Sequence, residues 1–358
     1  MYLHIPFCAK RCDYCAFATF TDRHHLTGAY LEAMRTDIRR TVSAGMPPAT
    51  SVFIGGGTPS MVPAQELMSV LGEIPLAPHA EVTVECNPDD ITGEMMRTYR
   101  DGGVNRVSIG VQSTVPHVLA SLGRTHNPDN VQHAVEIVRN AGFASFNLDI
   151  IYGAAGESLD DWRKTVDDVV ALDPPHVSAY GLTVEANTPL ASQPHRHPDD
   201  DDQADKYELV DDAFAHNGLV NYEISNWAKD DHECAHNYLY WLQGNYDGFG
   251  CAAHAHKNGR RRWNVRTPDR YIELVNAGES PESAHEILDD ETRALEALQL
   301  LLRTREGVPV EAFDRDDLAF MSGMLETNGD RLVLTRAGRL MANEISIRLR
   351  VPTDMVRP

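Results

Sequence analysis

The stretch Tyr2-Leu-His-Ile-Pro-Phe-Cys8-Ala-Lys-Arg-Cys12-Asp-Tyr-Cys15-Ala-Phe17 is the most informative part of this 358-residue chain. It begins with a short strand pattern and continues into three cysteines in the spacing C-x3-C-x2-C. Three thiolates are one short of the four that a closed zinc site or a fully protein-ligated [4Fe–4S] cluster uses. Because three cysteines leave one iron of such a cluster open to an outside ligand, the spacing favours a redox or radical protein.

Two other interpretations of these cysteines stay open. Many cysteines in globular proteins are small buried hydrophobes without chemistry. Three of them beside Lys10 and Arg11 fit that poorly, because basic neighbours are expected to favour thiolates. A zinc site of the Cys3His type is the stronger alternative. The histidines that could complete it are His4, His24 and His25.

The first 185 residues alternate between strand and helix patterns, which favours a parallel sheet with helices outside it. Six such units are present, whereas a complete (β/α)8 barrel needs eight and about 250 residues. We therefore expect an α/β fold built on a partial, three-quarter parallel TIM-like barrel. The predicted strands are Tyr2–Ile5, Ser51–Ile54, Glu81–Glu85, Arg106–Val111, Phe146–Tyr152 and His176–Thr183. The predicted helices are Gly28–Ser43, Ala64–Leu71, Thr92–Asp101, Pro128–Ala141 and Leu159–Leu172.

The remaining residues predict two further parts, giving domains at 1–185, 186–284 and 285–358. The middle part extends the barrel and begins with a Pro-rich acidic loop, followed by a predicted helix, Gln203–His216. The last part reads as a small α-rich, winged-helix-like domain. Its predicted elements are Asp290–Arg303, Arg331–Leu334 and Arg336–Leu349.

Composition narrows the function classes. The net charge of −21 repels nucleic acids and anionic membrane surfaces, so neither is an expected partner. No stretch approaches the roughly 20 apolar residues of a membrane span, and no signal peptide is visible. We expect a cytoplasmic protein with reduced cysteines. The scattered cysteines, Cys86, Cys234 and Cys251, are expected to be buried and unreactive.

Polar residues recur at the carboxyl ends of the predicted strands, where barrels of this kind carry their chemistry. The run Gly55-Gly56-Gly57-Thr58-Pro59 would let a ligand lie against the backbone. Each polar residue alone could be structural, but their convergence beside the cysteines indicates a binding site. Together they could hold an amino group, a carboxylate, ribose hydroxyls and an adenine, the parts of S-adenosylmethionine. The polar strand-end residues are Glu85, Gln112, Arg124 and Asp149.

These residues lie in motifs that resemble the radical S-adenosylmethionine superfamily, and within it the HemN/HemW branch. That branch contains oxygen-independent coproporphyrinogen III oxidases and heme chaperones. The resemblance runs from residue 2 to about residue 350. The motifs are Tyr-Leu-His-Ile-Pro-Phe-Cys, Gly-Gly-Gly-Thr-Pro-Ser, Glu-Cys-Asn-Pro-Asp, Ser-Ile-Gly-Val-Gln-Ser, Leu-Gly-Arg-Thr-His and Asn-Leu-Asp-Ile-Ile-Tyr-Gly.

The resemblance implies two resident cofactors, a [4Fe–4S] cluster and S-adenosylmethionine at its open iron. It assigns the cluster to Cys8, Cys12 and Cys15. It assigns the S-adenosylmethionine site to Tyr2, Tyr14, Gly56, Gly57, Thr58, Glu85, Gln112, Arg124 and Asp149.

Within the branch, the sequence leans towards the HemW heme chaperones. The oxidases carry a fourth cysteine where this chain has Phe17, and a long N-terminal extension where seven residues precede Cys8. The run His236-Asn-Tyr-Leu-Tyr-Trp241 matches the H-N-x-x-Y-W signature of HemW proteins. This resemblance implies heme as bound cargo, heme-acceptor proteins, for instance respiratory ones, as partners, and an electron donor if S-adenosylmethionine is cleaved. The alternative is a coproporphyrinogen III oxidase that oxidatively decarboxylates propionate side chains.

The aromatic run His236–Trp241 could contact heme, or it could be core that covers the open side of the barrel. A heme would need an axial ligand such as histidine, and the sequence does not select one. The chain departs from the family pattern at Ala154-Ala-Gly-Glu157, where Leu-Pro-Gly-Gln is usual. It departs again at Gly250-Cys-Ala-Ala-His254, where Gly-Pro-Gly-Ala-His is usual.

Overall fold

A nine-stranded sheet forms the centre of the computed structural model, which describes residues 1–352. Its six central strands are parallel, follow one another in chain order and do not close into a full barrel. This confirms the predicted parallel α/β architecture of six units. The strands are β1 (Tyr2–Ile5), β2 (Ala49–Gly56), β3 (Leu76–Cys86), β4 (Arg106–Gln112), β5 (Ser145–Tyr152) and β6 (His176–Gly181).

Helices cover the outer face of this sheet because each presents an apolar stripe to it. In the first of them, Tyr30, Met34 and Ile38 recur at helical spacing and are fully buried. The sixth begins at a capping box formed by Ser158 and Asp161. The helices are α1 (Thr27–Ser43), α2 (Ala64–Leu71), α3 (Gly93–Asp101), α4 (Pro116–Ser121), α5 (Asn130–Asn140) and α6 (Leu159–Ala171). The sequence patterns missed α4, which is only six residues long.

The middle segment extends the sheet at both edges. Beside β6 lie the antiparallel strands β8 (Asn226–Ala228) and β7 (Val220–Glu223). Beside β1 lies the short parallel strand β9 (Gly248–Phe249). Helix α7 (Asp200–His216) buries Tyr207, Val210 and Phe214 in the same hydrophobic core as the barrel. The segment therefore packs as a continuation of the barrel.

The same segment also supplies a helix and a small sheet. Helix α8 (Ala235–Trp241) carries the H-N-x-x-Y-W run. Helix α9 (Pro268–Asn276) packs against α1 and buries Tyr271. Three antiparallel strands complete this region: β10 (His254–Lys257), β11 (Arg260–Asn264) and β12 (Glu282–Ile287).

The C-terminal segment has its own hydrophobic core, in which Leu298, Leu302, Val308 and Leu332 are buried. The predicted single helix Arg336–Leu349 is wrong, because it breaks at Met341 into two short helices. The break lets Ile345 and Leu349 enter this small core. The elements are α10 (Asp290–Leu302), β13 (Val308–Pro309), α11 (Arg315–Phe320), β14 (Leu325–Asn328), β15 (Arg331–Leu334), α12 (Arg336–Leu340) and α13 (Ala342–Ser346).

Salt bridges join the C-terminal segment to the barrel. Arg336 and Arg339 both bond the nearly buried carboxylate of Asp211 on α7. Arg303 bonds Glu223 on β7 at 3.1 Å. No helix within residues 1–352 has the length and apolar character needed to cross a membrane.

Candidate functional site

The three cysteines lie in the loop between β1 and α1, at the carboxyl end of the barrel strands. The loop is fixed where the Cys8 amide donates to the Phe20 carbonyl and the Cys15 amide to the Cys12 carbonyl, both at 3.2 Å. Side chains from other strand ends reach the sulfurs. Thr58 Oγ1 lies 3.5 Å from Cys8 Sγ, and Arg124 Nη1 lies 3.7 Å from Cys12 Sγ. The fold therefore brings the cysteine loop and the predicted strand-end residues together.

Burial outweighs the expected effect of the basic neighbours on the thiols. It is the dominant cause at Cys8 and Cys15 and raises the pKa of both thiols, while the Arg11 charge opposes the rise at Cys15. Lys10 is exposed, and Arg11 donates to the carbonyl of Cys15 at 3.1 Å. A metal-bound thiol is deprotonated by the metal itself, so iron rather than lysine or arginine would supply the thiolate form.

The histidines considered as zinc ligands are engaged elsewhere or lack a surrounding ligand set. His4 Nε2 donates to the Ala18 carbonyl at 2.9 Å, and its Nδ1 accepts from Tyr2 at 2.9 Å. His24 Nε2 donates to the Cys8 carbonyl at 3.2 Å. Within residues 1–352, no three histidine, cysteine, aspartate or glutamate side chains are grouped to hold a single metal ion. A [4Fe–4S] cluster binds each cysteine to a different iron, so it does not require its thiols to meet at one point.

A cavity of about 490 Å³ opens beside the cysteines, and eight of the nine residues that the resemblance assigns to S-adenosylmethionine line it. The exception is Tyr2, which is not among the lining residues, so its assignment to the site stays a prediction. Tyr2 starts β1 and so lies about 10 Å below the strand's carboxyl end, where it bonds His4 and stacks on Phe53. The assigned residues that line the cavity are Cys8, Cys12, Cys15, Tyr14, Gly56, Gly57, Thr58, Glu85, Gln112, Arg124 and Asp149.

The glycine run makes room for Glu85. A Cβ at Gly55 would lie 2.7 Å from Glu85 Oε2, so a larger residue there would displace the carboxylate. Gly56 has a φ of +109° and donates its amide to Glu85 Oε2 at 3.0 Å. Burial, with Asp149 as a second cause, raises the pKa of Glu85 to about 8. The carboxyl is therefore held against the cavity without a cationic partner among residues 1–352.

Arg124 and Asp149 supply the other charges of the cavity wall. Arg124 Nη2 donates to the Gly110 carbonyl at 2.9 Å, while its buried Nε has no hydrogen-bond partner among residues 1–352. Asp149 accepts from Ser108 at 2.7 Å and from Asn147 at 2.8 Å, and burial raises its pKa. Because buried polar groups are normally paired, the unpaired nitrogen fits a ligand that brings an acceptor, such as a carboxylate.

Gln112 ends β4 in a strained conformation. Its φ of +61° lies in the left-handed region, which is costly for a residue with a side chain. The register with β5 breaks between Gly110 and Gln112, and both residues line the cavity. Such strain is typical of functional positions.

Other residues of the cavity wall were not predicted. Ser108 and Tyr180 line it from β4 and β6, and Leu182, Thr183 and Glu185 line it from the loop after β6. The alternation His176, Ser178, Tyr180 on β6 places three polar side chains on one face. That alternation is the signal that could have located the β6 contribution.

The H-N-x-x-Y-W helix α8 lies at the opposite, amino end of the strands. His236 is fully buried, and its ring nitrogens lie 2.8 Å from Ser51 Oγ and 2.8 Å from the Tyr240 hydroxyl. Glu81 accepts the amides of Ala235 and His236 at the start of the helix. Burial lowers the pKa of His236 to about 3. Since neither ring nitrogen is free, this arrangement favours the core interpretation of His236.

The departures from the family pattern have local partners. Glu157 is buried with Lys206 at 3.2 Å, and it accepts the Gly153 amide at 2.7 Å. Cys251 is buried against the hydroxyl of Tyr30 at 3.6 Å. Ala252 adopts a φ of +56° where glycine is usual. Cys86, Cys234 and Cys251 are all buried and free, as expected.

A partial parallel barrel with three cysteines beside a polar cavity at its strand ends defines a radical S-adenosylmethionine protein. The Radical SAM superfamily model matches residues 2–169, and the superfamily implies a [4Fe–4S] cluster and S-adenosylmethionine. The solved structure of coproporphyrinogen III oxidase HemN from Escherichia coli has the same fold, with a TM-score of 0.82. It is 20% identical, over 97% of this chain and 88% of that one.

Sequence relatives narrow the class. The heme chaperone HemW of Mycobacterium tuberculosis is 39% identical over 96% of this chain and 93% of its own length. The heme chaperones HemW of Escherichia coli and Bacillus subtilis are 33% and 32% identical, each over 96% of this chain and at least 96% of their own length. The chain belongs to the HemW family.

Proposed function

We propose that this chain is a heme chaperone, which binds heme and transfers it to acceptor proteins in the cytoplasm. The name of its full-length relatives supports this function. The observation that carries it is Phe17, which is 63% exposed and lines the cavity two residues beyond Cys15. The branch's oxidases carry a cysteine at this position, and an exposed aromatic ring offers apolar contact instead.

Cys8, Cys12 and Cys15 would hold the cluster in this proposal. The cluster, when bound, would supply an iron with an open coordination position and an electron. The three cysteines are partly buried and line the cavity. Thr58 and Arg124, which contact the sulfurs of Cys8 and Cys12, would donate hydrogen bonds to the thiolates.

S-adenosylmethionine would occupy the cavity beside the cluster. Its amino acid part needs a cationic donor and anionic acceptors, which Arg124 and Glu85 provide. Its ribose hydroxyls need an acceptor. Asp149 provides one while it still accepts hydrogen bonds from Ser108 and Asn147. Gly56 and Gly57 would let the ligand approach the backbone. Tyr14, Thr58 and Gln112 would complete the wall.

The coproporphyrinogen III oxidase reading is the second candidate, since the chain shares the HemN fold. At 20% identity this likeness concerns the fold alone. Phe17 disfavours it.

One comparison separates the two functions. Anaerobically reconstituted protein is loaded with heme and mixed with an apo-acceptor, such as an apocytochrome, and heme transfer is followed by absorbance. In parallel, coproporphyrinogen III is incubated with the protein, S-adenosylmethionine and a reductant. The chaperone reading predicts heme transfer and no protoporphyrinogen IX. Conversion of the porphyrinogen without heme transfer would establish the oxidase.

A further inference from the structure

A chain of buried polar side chains lies beneath the cavity, inside the barrel. Asp149 and Asn147 belong to β5, and alternate positions on a strand face the same side. His176 lies opposite Asn147 in the register of β5 and β6. Tyr222 comes from β7. Asn147, His176 and Tyr222 are at most 3% exposed.

The carboxylate of Asp149 fixes the direction of the hydrogen bonds that link Asn147, His176 and Tyr222. It can only accept, so the amide nitrogen of Asn147 donates to it at 2.8 Å. The Asn147 carbonyl oxygen then faces His176 Nδ1 at 2.6 Å, and Nδ1 must donate. This leaves His176 Nε2 to accept from the Tyr222 hydroxyl at 2.7 Å. The imidazole is thus held as the neutral Nδ1–H tautomer.

We propose that Asn147, His176 and Tyr222 are positioning residues that hold Asp149 to receive the ribose hydroxyls of S-adenosylmethionine. The inference rests on the cofactor site proposed above. The Asn147 amide is bonded at its oxygen by His176 and at its nitrogen to Asp149, and so it holds the carboxylate in place. Ser108 bonds the other carboxylate oxygen at 2.7 Å, so both oxygens are aimed from below.

Tyr222, the last residue of this hydrogen-bonded series, is anchored at the amino end of the barrel. The Cys234 amide donates to the Tyr222 hydroxyl at 3.3 Å, and Tyr238 on α8 stacks on the Tyr222 ring at 5.4 Å. Burial lowers the pKa of His176 well below its usual value, with the Arg106 charge as a second cause. This series of hydrogen bonds requires a neutral imidazole with one fixed tautomer.

The test compares two substitutions of His176 in cluster-reconstituted protein. Asparagine places its amide nitrogen near the position of Nδ1, whereas glutamine reaches only towards Nε2. We expect H176N, which loses only the bond to Tyr222, to weaken S-adenosylmethionine binding less than H176Q, which should lose about 3- to 10-fold in equilibrium dialysis, the range of one hydrogen bond. Equal affinities in the two variants, whether both lowered or both unchanged, would overturn the positioning role.

Tyr222→Phe is the second variant, because it removes only the hydroxyl and keeps the ring stacked on Tyr238. We expect it to weaken S-adenosylmethionine binding while the iron content stays that of the wild type. The matched control is Tyr271→Phe, which loses a buried hydroxyl bonded to Asp37 at 2.9 Å on the outer side of the sheet. A similar loss of affinity in both tyrosine variants would contradict the proposal.

Asp149→Asn separates this inference from the proposed function. If Asp149→Asn weakens S-adenosylmethionine binding and H176Q does not, the positioning role fails and the cofactor site stands. If Asp149→Asn leaves the affinity unchanged, the cofactor contact fails, and the positioning role fails with it. The heme-transfer assay, which is a separate measurement, then still decides the chaperone function.

Discussion

Both ends of the barrel carry a partly buried glutamate and a nitrogen-containing side chain, but these groups have different hydrogen-bond partners at the two ends. At the amino end, the Glu81 carboxylate accepts two helix amides, and both ring nitrogens of His236 are bonded. At the carboxyl end, Glu85 accepts one amide, and Arg124 Nε has no partner within residues 1–352. Unpaired buried atoms occur at both ends within residues 1–352, since Arg106 Nε and Trp241 Nε1 at the amino end also have no partner. What distinguishes the carboxyl end is that Glu85 and Arg124 line a cavity, so a ligand there could satisfy them.

This difference shows that a sequence motif of the family does not have to line the cavity. The H-N-x-x-Y-W helix is a signature of the family, yet its histidine closes the barrel rather than facing a cavity. The three cysteines of the motif line the cavity and are only partly buried. Variants at the two ends should therefore separate cofactor loss from loss of stability.

The largest effect is expected from Cys12→Ala. A cluster held by three cysteines should not survive the loss of one, so the iron content should fall from about four atoms per chain to near zero. The fold should persist, because the cysteine lies at the surface of the cavity rather than in the core. Cys86→Ala, a buried cysteine outside the motif, is the control and should retain the iron. Wild-type iron in Cys12→Ala would contradict the ligand assignment.

His236→Ala should produce the reverse result at the closed end. It removes a buried ring that stacks on Phe53 and two hydrogen bonds, so the free energy of unfolding should fall by about 3–5 kcal/mol. Urea denaturation measures the loss, and His285→Ala on an exposed strand is the control, expected within about 0.5 kcal/mol. The folded fraction of His236→Ala should still bind wild-type amounts of iron. Loss of heme binding by that fraction would revive the heme-contact interpretation.

Glu85 tests the open end through pH. Its pKa rises from 4.5 to about 8 on folding, so between these values the native state binds more protons than the unfolded state. Stability without ligand should therefore fall as pH rises from about 5 to 8. Glu85→Gln should remove this dependence and stabilise the ligand-free protein by about 2–4 kcal/mol at pH 8.

Glu73 gives the opposite sign and serves as the comparison. Its hydrogen bond to Arg39 lowers its pKa to about 2, with burial opposing the shift and Arg35 reinforcing it. Its contribution to stability is present above pH 4.5 and is lost as pH falls towards 2. Glu73→Gln should therefore destabilise the protein at neutral pH. Thermal unfolding across pH checks both variants, and an equal sign for the two would refute the account of Glu85.

Much of the barrel follows from the sequence because parallel strands are buried on both faces and read as apolar runs. The bounds of β1, α2 and β15 agree with the prediction residue for residue. The strand-end residues could be expected to converge because the carboxyl ends of parallel strands share one edge. Tyr2 is assigned through the family resemblance alone, and because it starts its strand the strand-end argument does not include it.

Other features depend on tertiary packing that the sequence pattern does not contain. Strand β9 has two residues and no periodicity, and it exists because β1 offers it an edge. The break at Met341 follows from the small C-terminal core. Burial, not neighbouring charge, governs Cys8 and Cys15, and burial is a property of the fold. The pairing of Glu157 with Lys206 joins residues 49 positions apart.

The smallest effect concerns Ala252, in the loop that leaves β9 beside the cofactor end. Its φ of +56° costs a residue with a side chain about 1 kcal/mol, and glycine avoids that cost. Glycine also gives the unfolded chain more freedom, which offsets about half of the gain. Ala252→Gly should therefore stabilise the protein by about 0.5 kcal/mol, measured by urea denaturation. Asn258→Gly, at a φ of +49°, should gain less because asparagine tolerates this conformation. An equal gain at both positions would mean that the backbone of Ala252 is not strained.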